Sequence, residues 1–473
     1  MIAESGDKVA DELYQQLLLN RGQLNKLYEM PISERWADTY SMELATEKIE
    51  HELIERSKVY GDFTRNLTID WKQVQAQLKE DDIAIEFLSF PIENDSVMYC
   101  ALTLKKEYDS PRMIPLFEAR DLAKIGETDY FTTSKLTQLV WQPLAEELQS
   151  VRNIYFAPAG ELHRIAIEYL PYGDEGRYIF DYWNLYRLSS TRELAKTKSD
   201  KNSTNVVLYG GLRYEAEGVK FEKDITWGTN YLAITRSLPD SIGLRAQYGY
   251  LHGALNEVTE INALCEKNNI STMLYTGSMG TESTIKALSG KRISNLHIST
   301  HGFYYSEKEV ESKQDLRHLS FLQHDDTPRY IEDKSMTRSG LLFAGVNATL
   351  KGDSIPEGCD DGILTAQEIA SLDFRGLDLL VLSACQTGLG EIKGDGVFGL
   401  QRGFKKAGAQ TIVMSLWKVD DFATNLLMTQ FYNNLLAGHS KREAFHKAQE
   451  VVRSNYPDDP HKWAGFIMLD GID

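Results

Sequence analysis

The chain has 473 residues, 42% of them apolar, and a formal charge of −18. That length suits two or three domains, and that charge disfavours nucleic acid or an anionic membrane surface as a direct partner. No run of about 18 apolar residues offers a membrane span, and Met1 to Asn20 has neither the basic start nor the apolar stretch of a secretion signal, so a cytoplasmic location is expected.

In chain order, Leu13, Leu17, Leu24, Leu27 and Tyr28 recur at helical spacing from about Asp11, and Pro31 ends the run. A second helical stretch reaches to about Tyr60. Asp70 can cap a short third helix with Trp71, Val74 and Leu78 on one face. Residues 1–80 therefore read as a helical segment, without a repeat of about 34 residues. The period then changes, marking strands at 83–90, 97–104 and 153–157, the last closed by Pro158 and Gly160. The polar run 196–204 reads as a linker between a mixed domain over 81–200 and a second over 201–473.

In the second domain strands and helices alternate as in a parallel sheet. Strands are expected at 205–209, 271–275, 295–299, 377–383 and 411–416. Helices are expected around Glu257, Val258, Ile261, Leu264 and Cys265, near 281–288, and over 397–406 with Val397, Leu400 and Phe404 inward. Two helices close the chain, the last with a capping box of Ser440 and Glu443. The expected fold class is α/β, a mostly parallel sheet flanked by helices. The longest irregular piece, from Tyr304 to about Arg338, is densely charged and is expected to flank or cover the site.

Two sequence contexts carry chemistry. NLHISTHGF places His301 and Gly302 directly after one apolar strand, and LDLLVLSACQTG does the same for Cys385. Ligands bind at the carboxyl ends of strands in an open α/β sheet, so neighbouring strands would bring imidazole and thiol together. A thiolate attacks carbonyl carbon, and a nearby imidazole removes the thiol proton. Backbone N–H groups of Gly302 and Cys385 are candidate oxyanion donors, each contributing roughly 3 kcal/mol. No orienting partner for His301 is visible.

A lone buried cysteine is usually a small core residue. The pairing of both contexts reverses that reading here, whereas Cys100, Cys265 and Cys359 read as structural. The four cysteines show no paired spacing, which argues against a disulfide framework or structural zinc. Asp360 and Asp361 in GCDDG read as a turn, not a calcium loop. No metal and no cofactor are expected. The N-x-S/T triplets at Asn66, Asn202, Asn269 and Asn347 read as chance in a chain without a secretion signal.

The blocks ISTHGF, RSGLLFAGVN, DGILTAQEIASLDFRGLDLLVLSACQTG, GDGVFGLQRGFKKAGAQTIVMSLWKVDD and HKWAGF, in that order, resemble the CHAT family of bacterial caspase-like peptidases. These are relatives of separases and caspases usually found beside tetratricopeptide repeats. IYFAPAGELHRIAIEYLP extends the likeness back to about residue 80. The resemblance implies a His301–Cys385 dyad and metal-independent hydrolysis of a protein substrate. It also implies a caspase-like sheet over 201–473, preceded by a degenerate caspase-like domain over 81–200. A tetratricopeptide-repeat or sensor partner and a role in bacterial defence or cell death are implied too. The helices before residue 80 stand where repeats are expected, so the chain is either a piece of a longer protein or relies on a separate sensor.

The strand 411–416 is expected beside the Cys385 strand, with SLWKVDD following it at the same edge. In the caspase-like fold this region lines the pocket for the residue before the cut, where Asp420 or Asp421 would pair with Arg or Lys and Trp417 would form a wall. The competing expectation is that either aspartate caps the helix from Phe422 and that Trp417 belongs to the core. Asp395 is expected to cap the helix after the catalytic loop, with Gly394 and Gly396 turning the chain. Two other functions compete: a catalytically silent interaction module, and another thiol enzyme such as an amidotransferase or acyltransferase. The long QTGLGEIKGDG after Cys385 suits the latter poorly, since such enzymes place the nucleophile on a tight elbow.

Overall fold

The computed structural model describes residues 8–29, 39–56, 69–92, 96–174, 176–196, 205–215, 219, 248–304, 336, 338–351, 360–384, 391–393 and 396–472. The predicted helical opening is present as α1 (Lys8–Glu29) and α2 (Thr39–Arg56). Ala10, Tyr14 and Leu17 of α1 meet Leu53 of α2 in a buried cluster, the outcome expected for helices with one apolar stripe each. The Arg375 guanidinium lies 4.5 Å from the centre of the Tyr14 ring. A third short helix, α3 (Trp71–Gln75), carries a reciprocal cap: Asp70 Oδ1 accepts the Gln73 N–H and Gln73 Oε1 accepts the Asp70 N–H. It ends before Leu78, which still packs with Val74 in one buried cluster.

The chain forms two compact units. One draws on 1–65, 199–391 and 398–410, the other on 66–198, 392–397 and 411–473. The second unit contains β1 (Asp82–Ile92), β2 (Ser96–Leu104), β3 (Arg112–Glu118), β4 (Asn153–Ala157) and β5 (Asn184–Arg187). β1, β2 and β3 form an antiparallel meander, and β4 and β5 continue in parallel from β1.

In the first unit, β6 (Val206–Leu212) is followed by α4 (His252–Lys267), β7 (Thr272–Gly277), α5 (Glu282–Lys286) and β8 (Asn295–Ile298). α4 packs against β6 and β7. It comes close because Gly210 has no side chain: a Cβ there would stand 2.5 Å from the Ala254 carbonyl oxygen. Three short antiparallel strands, β9 (Gly302–Tyr304), β10 (Ser339–Leu342) and β11 (Ile363–Thr365), form a separate small sheet. The 197–204 linker, nearly all of the charged 304–338 piece, Cys359, Cys385, Gly394 and Asp395 lie outside the described residues.

β12 (Leu379–Leu382) then pairs in parallel with β8, which pairs in parallel with β6, and β6 with β7. All four residues of β12 are buried, as an apolar run in a parallel sheet requires. The helix expected over 397–406 begins later. Two short strands, β13 (Glu391–Lys393) and β14 (Gly396–Phe398), precede it, and α6 (Leu400–Ala407) starts with Gly399 as its N-cap. The N-cap position thus falls at 399 and not at 395, and Val397 lies in a strand: a β-branched and an aromatic residue between glycines favour extended backbone.

The chain closes in the second unit with β15 (Thr411–Ser415), α7 (Asp421–Leu436), α8 (Lys441–Asn455), a short α9 (Pro460–Trp463) and β16 (Phe466–Leu469). The expectation of two closing helices thus misses a strand. β16 is antiparallel to β15 and parallel to β5. A four-residue apolar run is too short for its period to distinguish helix from strand. The expected α/β class, a mostly parallel sheet flanked by helices, is what the chain adopts. No helix among the described residues is long and apolar enough to cross a membrane.

Candidate active site

His301 leaves the carboxyl end of β8 through Ser299 and Thr300. The Ser299 N–H donates to the Tyr209 carbonyl at 2.7 Å and the Leu342 N–H to the His301 carbonyl at 2.9 Å. The Thr300 hydroxyl donates to the Leu342 carbonyl at 2.5 Å, so the Tyr214 hydroxyl, 2.9 Å away, must donate to Thr300 Oγ1. Burial pushes the Tyr214 phenol up to about 12, while its oxygen accepts the His301 backbone N–H.

The imidazole lies between two tyrosine rings, Tyr214 and Tyr248, each with its centroid 5.0 Å away. Its Nε2 is 2.9 Å from the Gly249 carbonyl oxygen. A carbonyl only accepts, so Nε2 carries a proton, and in the neutral ring Nδ1 is the basic nitrogen. This supplies the orienting partner that the sequence left unassigned. Gly249 gave no signal, because a backbone carbonyl is contributed equally by any residue type.

Gly302 opens β9 opposite Leu341 of β10. The Leu342-to-His301 bond makes Gly302 and Leu341 a non-hydrogen-bonded pair. The Gly302 N–H is therefore turned away from β10.

On the other strand, β12 runs parallel to β8 with Leu382 opposite Ile298, and the Ser383 N–H donates to the Ile298 carbonyl at 2.9 Å. The two strands are neighbours, the condition on which the sequence argument depended. Description of this strand end stops at Ala384, one residue before Cys385.

Beneath these strand ends lies a polar network. Glu257 of α4 is buried, with Oε1 2.6 Å from His297 Nε2 of β8 and Oε2 accepting the Ser383 hydroxyl at 3.1 Å. One carboxylate thus ties a helix to both strands. The signal was present, since Glu257 is a charged residue on the inward face of an amphipathic helix.

The DGILTAQEI block has a structural explanation of a different kind. Lys286 Nζ is buried within 2.6 Å of Glu282, 2.7 Å of Asp360 and 3.2 Å of Glu368. Asp361 Oδ1 accepts the Ile363 N–H, and Glu282 Oε2 accepts the Gly362 N–H. Burial among like charges raises the Glu282 carboxyl well above its ordinary value. Asp360 and Asp361 belong to this ionic cluster, and no grouping of metal-ligand side chains occurs among the described residues.

Cys100 and Cys265 are buried free thiols. Burial raises both and pushes Cys265 up to about 11, which suits core residues rather than nucleophiles. In the second unit, Asp420 caps α7, its Oδ1 accepting the Ala423 N–H at 3.0 Å. Asp421 is the exposed first residue of that helix. Trp417 is half-buried beside Phe131 and His461, donating its Nε1–H to the His461 carbonyl at 2.9 Å.

A family model described as the CHAT domain matches residues 132–471. The chain belongs to the CHAT domain family. Tetratricopeptide repeat protein 28 of Homo sapiens is 35% identical over 108 residues, 23% of this chain and 4% of that protein. Its Mus musculus counterpart is 36% identical over 109 residues, again 23% and 4%. The chain therefore spans a small fraction of the curated relatives it matches. Among solved structures, the Arg-specific cysteine proteinase gingipain R aligns with 73% of this chain and 68% of its own, at 10% identity and a TM-score of 0.39. The Saccharomyces cerevisiae separase–securin complex aligns with 97% of this chain and 27% of its own, at 10% identity and a TM-score of 0.36.

Proposed function

We propose that the protein is a cysteine endopeptidase that cleaves a specific protein substrate through His301 and Cys385. The observation that supports this best is the bond from His301 Nε2 to the Gly249 carbonyl, three residues beyond a strand paired in parallel with the strand that precedes Cys385 in sequence.

In the proposed reaction, His301 Nδ1 takes the thiol proton and the Cys385 thiolate adds to the scissile carbonyl carbon. The N–H groups of Gly302 and Cys385 stabilise the oxyanion. Collapse expels the amine, which takes the proton from His301. Water, deprotonated by the same imidazole, then hydrolyses the thioester and restores the free thiol.

The finer expectations belong to the same proposal: a separate sensor or tetratricopeptide-repeat partner that switches activity, and a role in bacterial defence or cell death. Matched peptides with Arg, Leu or Asp before the cut test the pocket. A basic preference would draw on Asp421, since Asp420 Oδ1 already caps a helix, with Trp417 as the pocket wall; equal rates remove both from the site.

The test of the whole reading is a proteomic search for cleavage products with wild type, His301→Ala and Cys385→Ala. Products present only with wild type support the peptidase. Identical product sets from all three proteins would favour a catalytically silent interaction module.

A further inference from the structure

Asn347 lies in the FAGVN block, in the helix Val346–Lys351, and is 1% exposed. Burial rules out the glycan that its N-x-T triplet could otherwise carry. Its amide is fully engaged. Oδ1 accepts the Tyr248 N–H at 3.0 Å, and Nδ2 donates to the Tyr248 carbonyl at 3.1 Å and to Glu215 Oε1 at 3.0 Å. Its backbone N–H donates to the Tyr214 carbonyl at 2.8 Å.

These bonds converge on the surroundings of His301. Tyr214 and Tyr248 flank the imidazole, and the residue after Tyr248 supplies the carbonyl that receives Nε2–H. The pair of bonds to Tyr248 imitates a strand partner: one donor and one acceptor on a single side chain hold both polar groups of one residue. A side-chain amide provides both on separate atoms. Aspartate keeps the acceptor but loses the donor and places a second carboxylate beside Glu215, while alanine loses both bonds.

We propose that Asn347 is a positioning residue: by clamping the Tyr248 backbone it fixes the Gly249 carbonyl, and that carbonyl holds His301 as the Nε2–H tautomer with Nδ1 basic. This rests on the dyad reading for its consequence in catalysis, but the tautomer itself does not. Without the clamp, the 248–250 stretch loses two bonds to the residue before that carbonyl. Misplacement of a catalytic group by about 1 Å costs roughly 100-fold in rate.

The experiment compares wild type, Asn347→Ala and Asn347→Asp by two readouts. The first is the nitrogen NMR spectrum of histidine-labelled protein, with the His301 signal assigned by its loss in His301→Ala. The second is the rate of Cys385 alkylation by iodoacetamide. In wild type the His301 signal is expected to be that of the Nε2–H tautomer. In a folded Asn347→Ala protein it is expected to move toward a mixture, with alkylation slowed roughly 100-fold. Asn347→Asp, nearly the same shape, is expected to fall between and carries the decision if the alanine variant does not fold.

A His301 signal identical to wild type in the folded variant overturns the proposal. Failure of the dyad reading looks different: Cys385 of wild type would then react no faster than in His301→Ala, while the tautomer comparison would still decide the role of Asn347.

Discussion

A histidine can serve as base for a thiol only if one nitrogen is kept unprotonated and the ring is held. In the proposed dyad, the Gly249 carbonyl on Nε2 and the flanking Tyr214 and Tyr248 rings would supply both conditions. Replacing His301 by alanine is expected to slow acylation by a peptide substrate by roughly 10²–10⁴-fold, the usual contribution of a positioned acid–base group. Burst kinetics would measure it, and an unchanged burst rate would remove His301 from the reaction. At this scale the sequence was informative where chemistry depends on side-chain type. His301 stood out because an imidazole follows an apolar strand. Gly249 and Tyr248 did not, because they act through backbone groups and lie some fifty positions upstream of His301.

The elements that matter are the paired β8 and β12 and the helix α4, joined by Glu257. Glu257→Leu would orphan two buried groups, the His297 Nε2 and the Ser383 hydroxyl. At about 1–3 kcal/mol for each group left unsatisfied, a loss of about 2–6 kcal/mol is expected in urea unfolding. A loss below 0.5 kcal/mol, the scale of an ordinary surface change, would contradict the buried network.

A second test concerns Gly408, the left-handed cap of α6 with φ +106°, where a Cβ would stand 2.5 Å from Arg375 Cγ. Gly408→Ala is expected to destabilise by more than about 1 kcal/mol, because strain outweighs the reduced entropy of the unfolded chain. Strands set in longer apolar or alternating runs, such as β1, β2 and the 377–383 run that contains β12, were legible in sequence. The strands β9 to β11 and β16 were not, because three or four residues complete too little of a period to declare it. The start of α6 was misplaced because its apolar spacing continued backward through Val397 into residues that local propensity makes extended.

For the molecule as a whole, folding must keep several ionisable groups in states water would not favour. His163 in the second unit is the clearest: burial, with Arg187 nearby, pushes its imidazole from 6.5 down to about 3. The unfolded chain therefore binds a proton below about pH 6.5 that the folded chain refuses until about pH 3. This contribution to stability is full above pH 6.5 and falls as the pH drops. At pH 5 the loss is about 2 kcal/mol. Urea unfolding of wild type and His163→Gln at pH 7 and pH 5 isolates it: wild type is expected to lose more on acidification, and parallel losses would contradict the assignment. The α/β class was legible from the alternation of apolar strands and helices. The joining of 66–198 with 411–473 in one compact unit was not, since pairing between segments distant in sequence leaves no local pattern.

The dyad itself is tested most directly by measuring the second-order rate of Cys385 modification by an electrophilic peptide probe, in wild type and in His301→Ala, with candidate activating proteins present. The expected result is selective labelling of Cys385 that slows by at least roughly 100-fold when His301 is removed. Labelling at equal rates in both proteins, or an inert Cys385 under every condition, would contradict the assignment of a His301–Cys385 peptidase.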